Sequence, residues 1–458
     1  MIKEDVEQIL QDQKKFFESG KTLDINYRLD NLKKLRSLIL SYEKELSEAL
    51  NNDFQKPYFE VLATESRFVI SELNMMIRNL RKWSHRLRVR TSAANFISKG
   101  YIEYQPYGQV LILSPWNYPF QLSIIPAMSA LAAGNVVILK VSQKVSNTLE
   151  VISKILGHFP KELITLIKGE HSLSDYLLNY SFDYIFFTGS TNVGKKVMTK
   201  AAANLTPVTL ELGGKNPCVV TADAKLENAA RRIASGKFLN AGQTCIAPDY
   251  LLIDEKVKEK FLELIIKTLK SFYGEDPSES NDFCRIINKD KTSRLESFIN
   301  TGTVITGGKT IIDKCYVAPT LLTDIRPEDP IMQEEIFGPV LPVITYRDFS
   351  EIFPVINRHS KPLAAYIFTE SKNLAREFLA RTQSGSAAVN DTVMQIASPY
   401  LPFGGIGPSG MGRYHGRHSF ETFSNMRTVL YKSNMVDIFV RYPPYTSFKE
   451  KAIRLLMR

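Results

Sequence analysis

The chain has 458 residues, enough for two or three domains at roughly 100–200 residues each. Apolar residues make up 44% and charged residues 23%, a balance that excludes a disordered or low-complexity chain. The net charge of +10 is dispersed, with richer stretches only at Lys82 to Arg90 and Arg441 to Arg458. No nucleic-acid-binding motif accompanies it, so no nucleic-acid partner is expected.

The first five residues, Met1-Ile2-Lys3-Glu4-Asp5, carry charge and no apolar secretion core. Cys218, Cys245, Cys284 and Cys315 are too few for a disulfide framework in a chain this long. Both points lead us to expect a reducing cytoplasm. The spacing of Ile9, Leu10, Phe16 and Phe17, and of Leu32, Leu35, Leu38 and Leu40, predicts helices through the first ninety residues. Tyr101 to Tyr107 reads as a strand. Four short apolar runs follow: Val110–Leu113, Val136–Leu139, Ile164–Ile167 and Tyr184–Phe187. Helical stretches Pro126 to Ala133, Leu149 to Leu156 and Val193 to Ala203 alternate with them. That alternation predicts a parallel, doubly wound sheet, which binds ligands beyond the carboxyl ends of its strands. A second series is expected from Pro207, with strands Val208 to Glu211, Cys218 to Val220 and Tyr250 to Ile253. Its helices span Leu226 to Phe238 and Val257 to Phe272. Pro402 to Gly412 is a glycine-rich loop. His415 and His418 have HxxH spacing but no third ligand nearby, so we read them as surface or loop histidines and expect no metal.

Three segments carry chemistry. Thr188-Gly189-Ser190-Thr191-Asn192-Val193-Gly194 can turn tightly from strand to helix and face amides toward a phosphate, though many such turns carry Gly and Ser for geometry alone. Glu211, before Leu212-Gly213-Gly214-Lys215, is a general base or a capping glutamate. Cys245, closing Gly242-Gln243-Thr244-Cys245, is a loop nucleophile or an inert thiol.

Together these segments, with Ser114-Pro115-Trp116-Asn117-Tyr118-Pro119, Glu334-Glu335-Ile336-Phe337-Gly338-Pro339 and Leu401 to Gly412, resemble the aldehyde dehydrogenase superfamily in order and spacing. The resemblance covers nearly the whole chain. Glu211 lies 34 residues before Cys245, as the family pattern has it. Ala247-Pro248-Asp249-Tyr250, Asn390-Asp391 and Tyr414-His415-Gly416 look like the class 3 branch, which acts on fatty and aromatic aldehydes.

The resemblance implies two doubly wound α/β domains, one Rossmann-like for the cofactor and one catalytic, with a small β oligomerisation arm. It divides the chain into a cofactor domain at 1–209, with 85–107 in the arm, a catalytic domain at 210–393, and a bridging segment and basic tail at 394–458. It makes Cys245 the nucleophile, with Asn117 and the Cys245 N–H holding the oxyanion, and Glu211 the base that activates water against a thioester. The cofactor is NAD or NADP. Ser114, Pro115, Trp116, Lys140, Thr188, Gly189, Ser190, Val193, Gly194, Leu212, Gly213, Glu335 and Phe337 are assigned to it. Tyr118 and Phe403 are assigned to the aldehyde, expected to be apolar: medium- or long-chain, terpenoid or aromatic. A homodimer is implied, with contacts at Tyr101 to Tyr107 and after Tyr414.

Two positions depart from the family. Gln143 replaces a glutamate that accepts from the ribose 2′-hydroxyl and repels a 2′-phosphate, so NADP is expected to be tolerated. Gln395 replaces a histidine at the mouth of the substrate tunnel. The tail mixes Phe439, Tyr442, Tyr445, Phe448, Ile453, Leu455 and Leu456 with Arg441, Lys449, Lys451, Arg454 and Arg458. Such a segment can lie on an anionic membrane, but packing on a partner subunit is the favoured reading, and peripheral contact is expected at most.

Overall fold

The computed structural model describes residues 3–92, 95 and 97–456. Met1, Ile2 and Arg458, which entered the reading of the two termini, lie outside the described residues.

The N-terminal layer is helical, as the spacing predicts: Lys3–Glu18, Ile25–Ser41, Glu43–Phe54, Tyr58–Val61 and Arg67–Trp83. Leu29, Leu32, Leu35 and Ile39 form one buried stripe, and Val69, Leu73, Met76 and Leu80 another. Such stripes have no stable existence alone and must dock on a core.

They dock on each other and on the helix Gln121–Ala133, which packs on a six-stranded sheet ordered Gly410–Met411, Val208–Glu211, Tyr184–Thr188, Gln109–Ser114, Val136–Val141, Ile164–Leu166. All neighbours are parallel except the pair made by Gly410–Met411. The central strands are buried on both faces, which is why they read as unbroken apolar runs. The helix Gln121–Ala133 is buried along its whole length. It begins five residues before the proline that looked like its start. Pro126 has no N–H to give the Leu122 carbonyl, and Ser114 Oγ donates to that carbonyl instead, at 3.0 Å.

The second sheet has seven strands, ordered Thr303–Thr306, Thr320–Thr323, Val340–Tyr346, Tyr250–Asp254, Pro217–Val220, Ala364–Phe368, Ser386–Val389. Its series starts at Pro217, not at Pro207. Val208–Glu211 pairs in parallel with Tyr184–Thr188 and belongs to the first sheet. Periodicity shows that a stretch is a strand, but not which sheet it joins. A third sheet joins Leu87–Val89, Ser98–Pro106 and Ser424–Lys432. Fold class thus matches the expectation: two doubly wound α/β units and a small β arm.

Candidate active site

A cleft of about 360 Å³ opens between the two large sheets. Pro115, Trp116, Asn117 and Leu122 line one wall, and residues 188–192 another. Glu211, Leu212, Gly213, Gln243 and Cys245 form the floor side, with Lys291, Arg294, Glu334, Glu335 and Phe337 facing them. Glu211 ends its strand in the first sheet, whereas Cys245 sits in the loop before Tyr250–Asp254 of the second. The two therefore come from different sheets, whereas the sequence put the strands Val208 to Glu211 and Tyr250 to Ile253 in one series.

Glu211 is buried, and neither carboxylate oxygen has a hydrogen-bond partner. Burial holds its pKa well above the carboxylate range, opposed by Arg413. Its surroundings are tight: a Cβ on Gly404 would stand 2.9 Å from Oε1. Burial also pushes the Cys245 thiol up, and the carboxylates of Glu335 and Glu211 add to it. Tyr414, whose buried hydroxyl has no partner, stands in the field of Glu211 and Cys245. Nothing in the Tyr414-His415-Gly416 stretch marks which way the tyrosine points, so sequence reasoning misses this hydroxyl.

The cysteine loop is held from several sides. Asn216 Nδ2 donates to the carbonyls of Cys245 (2.8 Å) and Ala247 (2.9 Å). Tyr366 donates its hydroxyl to the Ile246 carbonyl at 2.6 Å. Gln395 Nε2 donates to that hydroxyl at 3.0 Å and to Ser386 Oγ at 3.3 Å. Asn117 Nδ2 donates to the Gln243 carbonyl at 3.0 Å.

The Ser190–Val193 turn serves a helix N-terminus. Ser190 caps Thr191–Ala202 by accepting from the Val193 N–H. A Cβ on Gly194 would meet Leu212 at 2.6 Å, so the glycine lets helix and strand approach. Thr188 Oγ1 is buried without a partner in the same cleft. A Cβ on Gly213 would fall 2.2 Å from a Glu335 carboxylate oxygen. Burial pushes Glu335 up to about 8, with Asp249 adding to it and the Gly214 N–H opposing. A helix N-terminus, an unpartnered hydroxyl and the cations Lys291 and Arg294 fit a dinucleotide with its pyrophosphate. Those two cations lie on Lys289–Ile299 and were missed, since nothing in their sequence forms a motif. Arg294 donates to the carbonyls of Glu335 (2.6 Å) and Ile336 (2.9 Å) and so also shapes the loop.

Several assigned residues stand outside the cleft lining. Ser114 is committed to Leu122. Lys140 is the last residue but one of the neighbouring strand, beside Leu113. Tyr118 is buried, its hydroxyl 2.5 Å from Thr244 Oγ1. Phe403 is buried and meets Tyr414 and His415 edge-on. His415 corrects the surface reading. It is fully buried, with Nδ1 3.3 Å from Glu72, boxed by Phe68, Phe403 and Tyr414. The polar pattern around it gave no hint of the aromatic box. His418 is exposed. Among the described residues no cluster of three or more His, Cys, Asp or Glu side chains is placed to hold a metal.

A parallel α/β fold with a thiol and an unpartnered carboxylate lining one cleft, beside a helix N-terminus and two cations, fits an oxidoreductase of the dehydrogenase kind. The chain belongs to the aldehyde dehydrogenase family, whose model, "Aldehyde dehydrogenase family", matches residues 1–429. It is 43% identical to 4,4'-diaponeurosporen-aldehyde dehydrogenase of Staphylococcus aureus, over 96% of each chain. It is also 43% identical to the dimeric NADP-preferring aldehyde dehydrogenase of Mus musculus, over 93% of this chain and 95% of that one. Among solved structures, a substrate-bound Staphylococcus aureus AldH superposes with a TM-score of 0.97 at 42% identity, covering 99% of both chains. An indole-3-acetaldehyde dehydrogenase with NAD+ gives 0.85 at 27% identity, over 94% of this chain and 89% of that one. The protein is an NAD(P)-dependent enzyme of the class 3-like branch that oxidises aldehydes to acids.

Proposed function

We propose that Cys245, Glu211 and Asn117 carry the reaction. Cys245, once its thiol has given up its proton, attacks as the thiolate: Sγ forms a C–S bond to the aldehyde carbon, and the carbonyl oxygen becomes an oxyanion. The Asn117 side-chain amide and the Cys245 N–H donate to it; one such donor is worth about 10²–10³ in rate. A nicotinamide, when bound, would accept the hydride that this adduct gives up, and Cys245 would then carry a thioester. Glu211 takes a proton from water as that water adds to the thioester carbon, and Cys245 leaves as the acid departs. The observation that carries the reading is Glu211 itself, a buried carboxylate with both oxygens free in the cleft that Cys245 lines. A relative that passes the acyl group to a thiol needs no such base, which disfavours that alternative.

Thr188, Gly189, Ser190, Leu212, Gly213, Glu335, Phe337, Pro115 and Trp116 would hold NAD or NADP, with Lys140 toward the ribose. Neutral Gln143 favours tolerance of NADP. The substrate is an apolar medium- or long-chain, terpenoid or aromatic aldehyde, reached past Tyr118 and Phe403. The carotenoid aldehyde in the name of the Staphylococcus aureus relative supports an extended apolar chain. A homodimer is supported by Ser424–Lys432, an edge strand exposing Met426, Leu430 and Tyr431. Peripheral membrane contact is supported by the helix Ser447–Leu456, with Phe448 and Leu455 exposed among basic residues. No described helix is long and apolar enough to cross a membrane. The test is NAD(P)H formation at 340 nm across an aldehyde chain-length series, with Cys245→Ser as control. Activity surviving that substitution overturns the mechanism. Loss of liposome sedimentation on deleting the last eleven residues tests the tail.

A further inference from the structure

Just before Cys245 the backbone takes an unusual course. Asn240, Ala241 and Gly242 are consecutively left-handed, with φ of 55°, 51° and 72°. Glycine adopts this conformation freely, but asparagine less so and alanine poorly. A Cβ on Gly242 would stand 2.3 Å from the Gly338 carbonyl, so position 242 also requires glycine for space. A bend of this kind persists only when its surroundings hold it.

One restraint comes from the N-terminal helical layer. Glu60 Oε2 accepts from the Asn240 N–H at 3.0 Å. The same oxygen lies 3.4 Å from Cys284 Sγ, which donates to it. Glu60 sits just before a π-helical turn at Leu62–Ser66, where the wider winding lets residues five apart share a side. Glu60 and Glu65 are accordingly both buried. Lys56 is committed to Glu65 at 2.8 Å, leaving Glu60 to the loop. Burial pushes Glu60 up to about 7, with Lys56, the Cys284 thiol and the Asn240 N–H pulling it back and Asp282 adding to the rise.

From Asn240 the restraint passes onward. Its Nδ2 donates to the carbonyls of Asn117 (2.9 Å) and Gln243 (3.2 Å). Gln243 in turn donates to the carbonyls of Asn240 and Arg285 and accepts from the Ile287 N–H, each at 3.0 Å. Asn117 donates back to Gln243.

We propose that Glu60 is a positioning residue for the nucleophile loop: by accepting from the Asn240 N–H it holds the left-handed bend that sets Cys245 and Asn117 in the cleft. The proposal rests on Cys245 as nucleophile. Glu60 touches no substrate and acts through Asn240.

The test is the rate of Cys245 alkylation by iodoacetamide, with the modified peptide identified by mass, alongside kcat, KM for the cofactor and Tm. Glu60→Ala should slow alkylation and kcat by about tenfold or more, the worth of a hydrogen bond to a charged group. KM for the cofactor should stay within about twofold, because the dinucleotide wall is untouched. Glu60→Gln keeps an acceptor oxygen and should return both rates to within about threefold of the parent. The loss should shrink when Ala241→Gly eases the bend. Unchanged alkylation in Glu60→Ala, or a tenfold loss in Glu60→Gln, overturns the proposal. If Glu60→Ala does not fold, the Glu60→Gln result decides alone. Failure of the parent to label at Cys245 overturns the nucleophile reading instead, so the two failures are distinct.

Discussion

Lys215 and Asp249 form an ion pair almost wholly removed from solvent, beneath the loop that carries Glu335. Lys215 Nζ also donates to the carbonyls of Ile331 (2.8 Å) and Glu334 (2.9 Å). Asp249 accepts from the Ile336 N–H at 3.0 Å with its other oxygen. The lysine of the Leu-Gly-Gly-Lys stretch and the aspartate four residues after Cys245 thus tie the cysteine loop to the far wall of the cleft. Lys215→Met leaves Asp249 charged and unpaired, and should cost about 3–5 kcal/mol of unfolding free energy. Denaturant unfolding at pH 7 measures it. A loss below about 1 kcal/mol would mean the pair is not holding the loop.

Glu211→Gln should lower kcat by about 10²–10⁴ while leaving Cys245 open to alkylation. Its stability should move the other way. A carboxyl whose folded pKa is raised favours the fold only while protonated, so its native-state burden appears as pH climbs above the ordinary value of 4.5. Glu211→Gln should therefore have a higher Tm than the parent at pH 8 and the same Tm near pH 4. Melting curves at both pH values decide it; a lower Tm at pH 8 contradicts the assignment.

Alkylation of Cys245 in the free enzyme should rise about tenfold per pH unit and continue rising through pH 9, the ordinary value, because burial and two neighbouring carboxylates raise the thiol. A plateau near pH 7 would show that the thiolate is stabilised in the resting enzyme.

Gln143→Glu should restore repulsion of a 2′-phosphate and lower kcat/KM for NADP by about tenfold or more, leaving NAD largely unaffected. Steady-state comparison of both cofactors reads this directly. In the parent, a preference for NAD above about a hundredfold, roughly 2.7 kcal/mol, would already contradict NADP tolerance.

The strands and helices were legible because apolar runs and helical spacing are local. Leu226–Phe238 was read at its actual limits. Gln121–Ala133 was read short because Pro126 normally marks a start, and the Ser114 hydroxyl that accommodates it lies on another strand. The motifs located Cys245, Glu211 and the turn at Ser190, but their chemistry depends on partners distant in sequence. Lys291, Arg294, Tyr414 and Glu60 join the site through packing alone. Gln395, which stands in place of a histidine at the expected tunnel mouth, supports Tyr366 beneath the Ile246 carbonyl.

Gly410–Met411 completes the first sheet by pairing with Val208–Glu211, placing Gly410 opposite Glu211. The Asn135 side chain, at the end of a helix made early, likewise donates to the Phe423 carbonyl at 2.9 Å. A chain emerging from the ribosome can therefore wind most of its first sheet long before the wall behind Glu211 exists. Until Gly410 and Met411 are released, the half-built unit exposes an unpaired strand edge and leaves the Glu211 carboxylate uncovered. Synthesis, not only sequence, sets the order in which this enzyme becomes able to act.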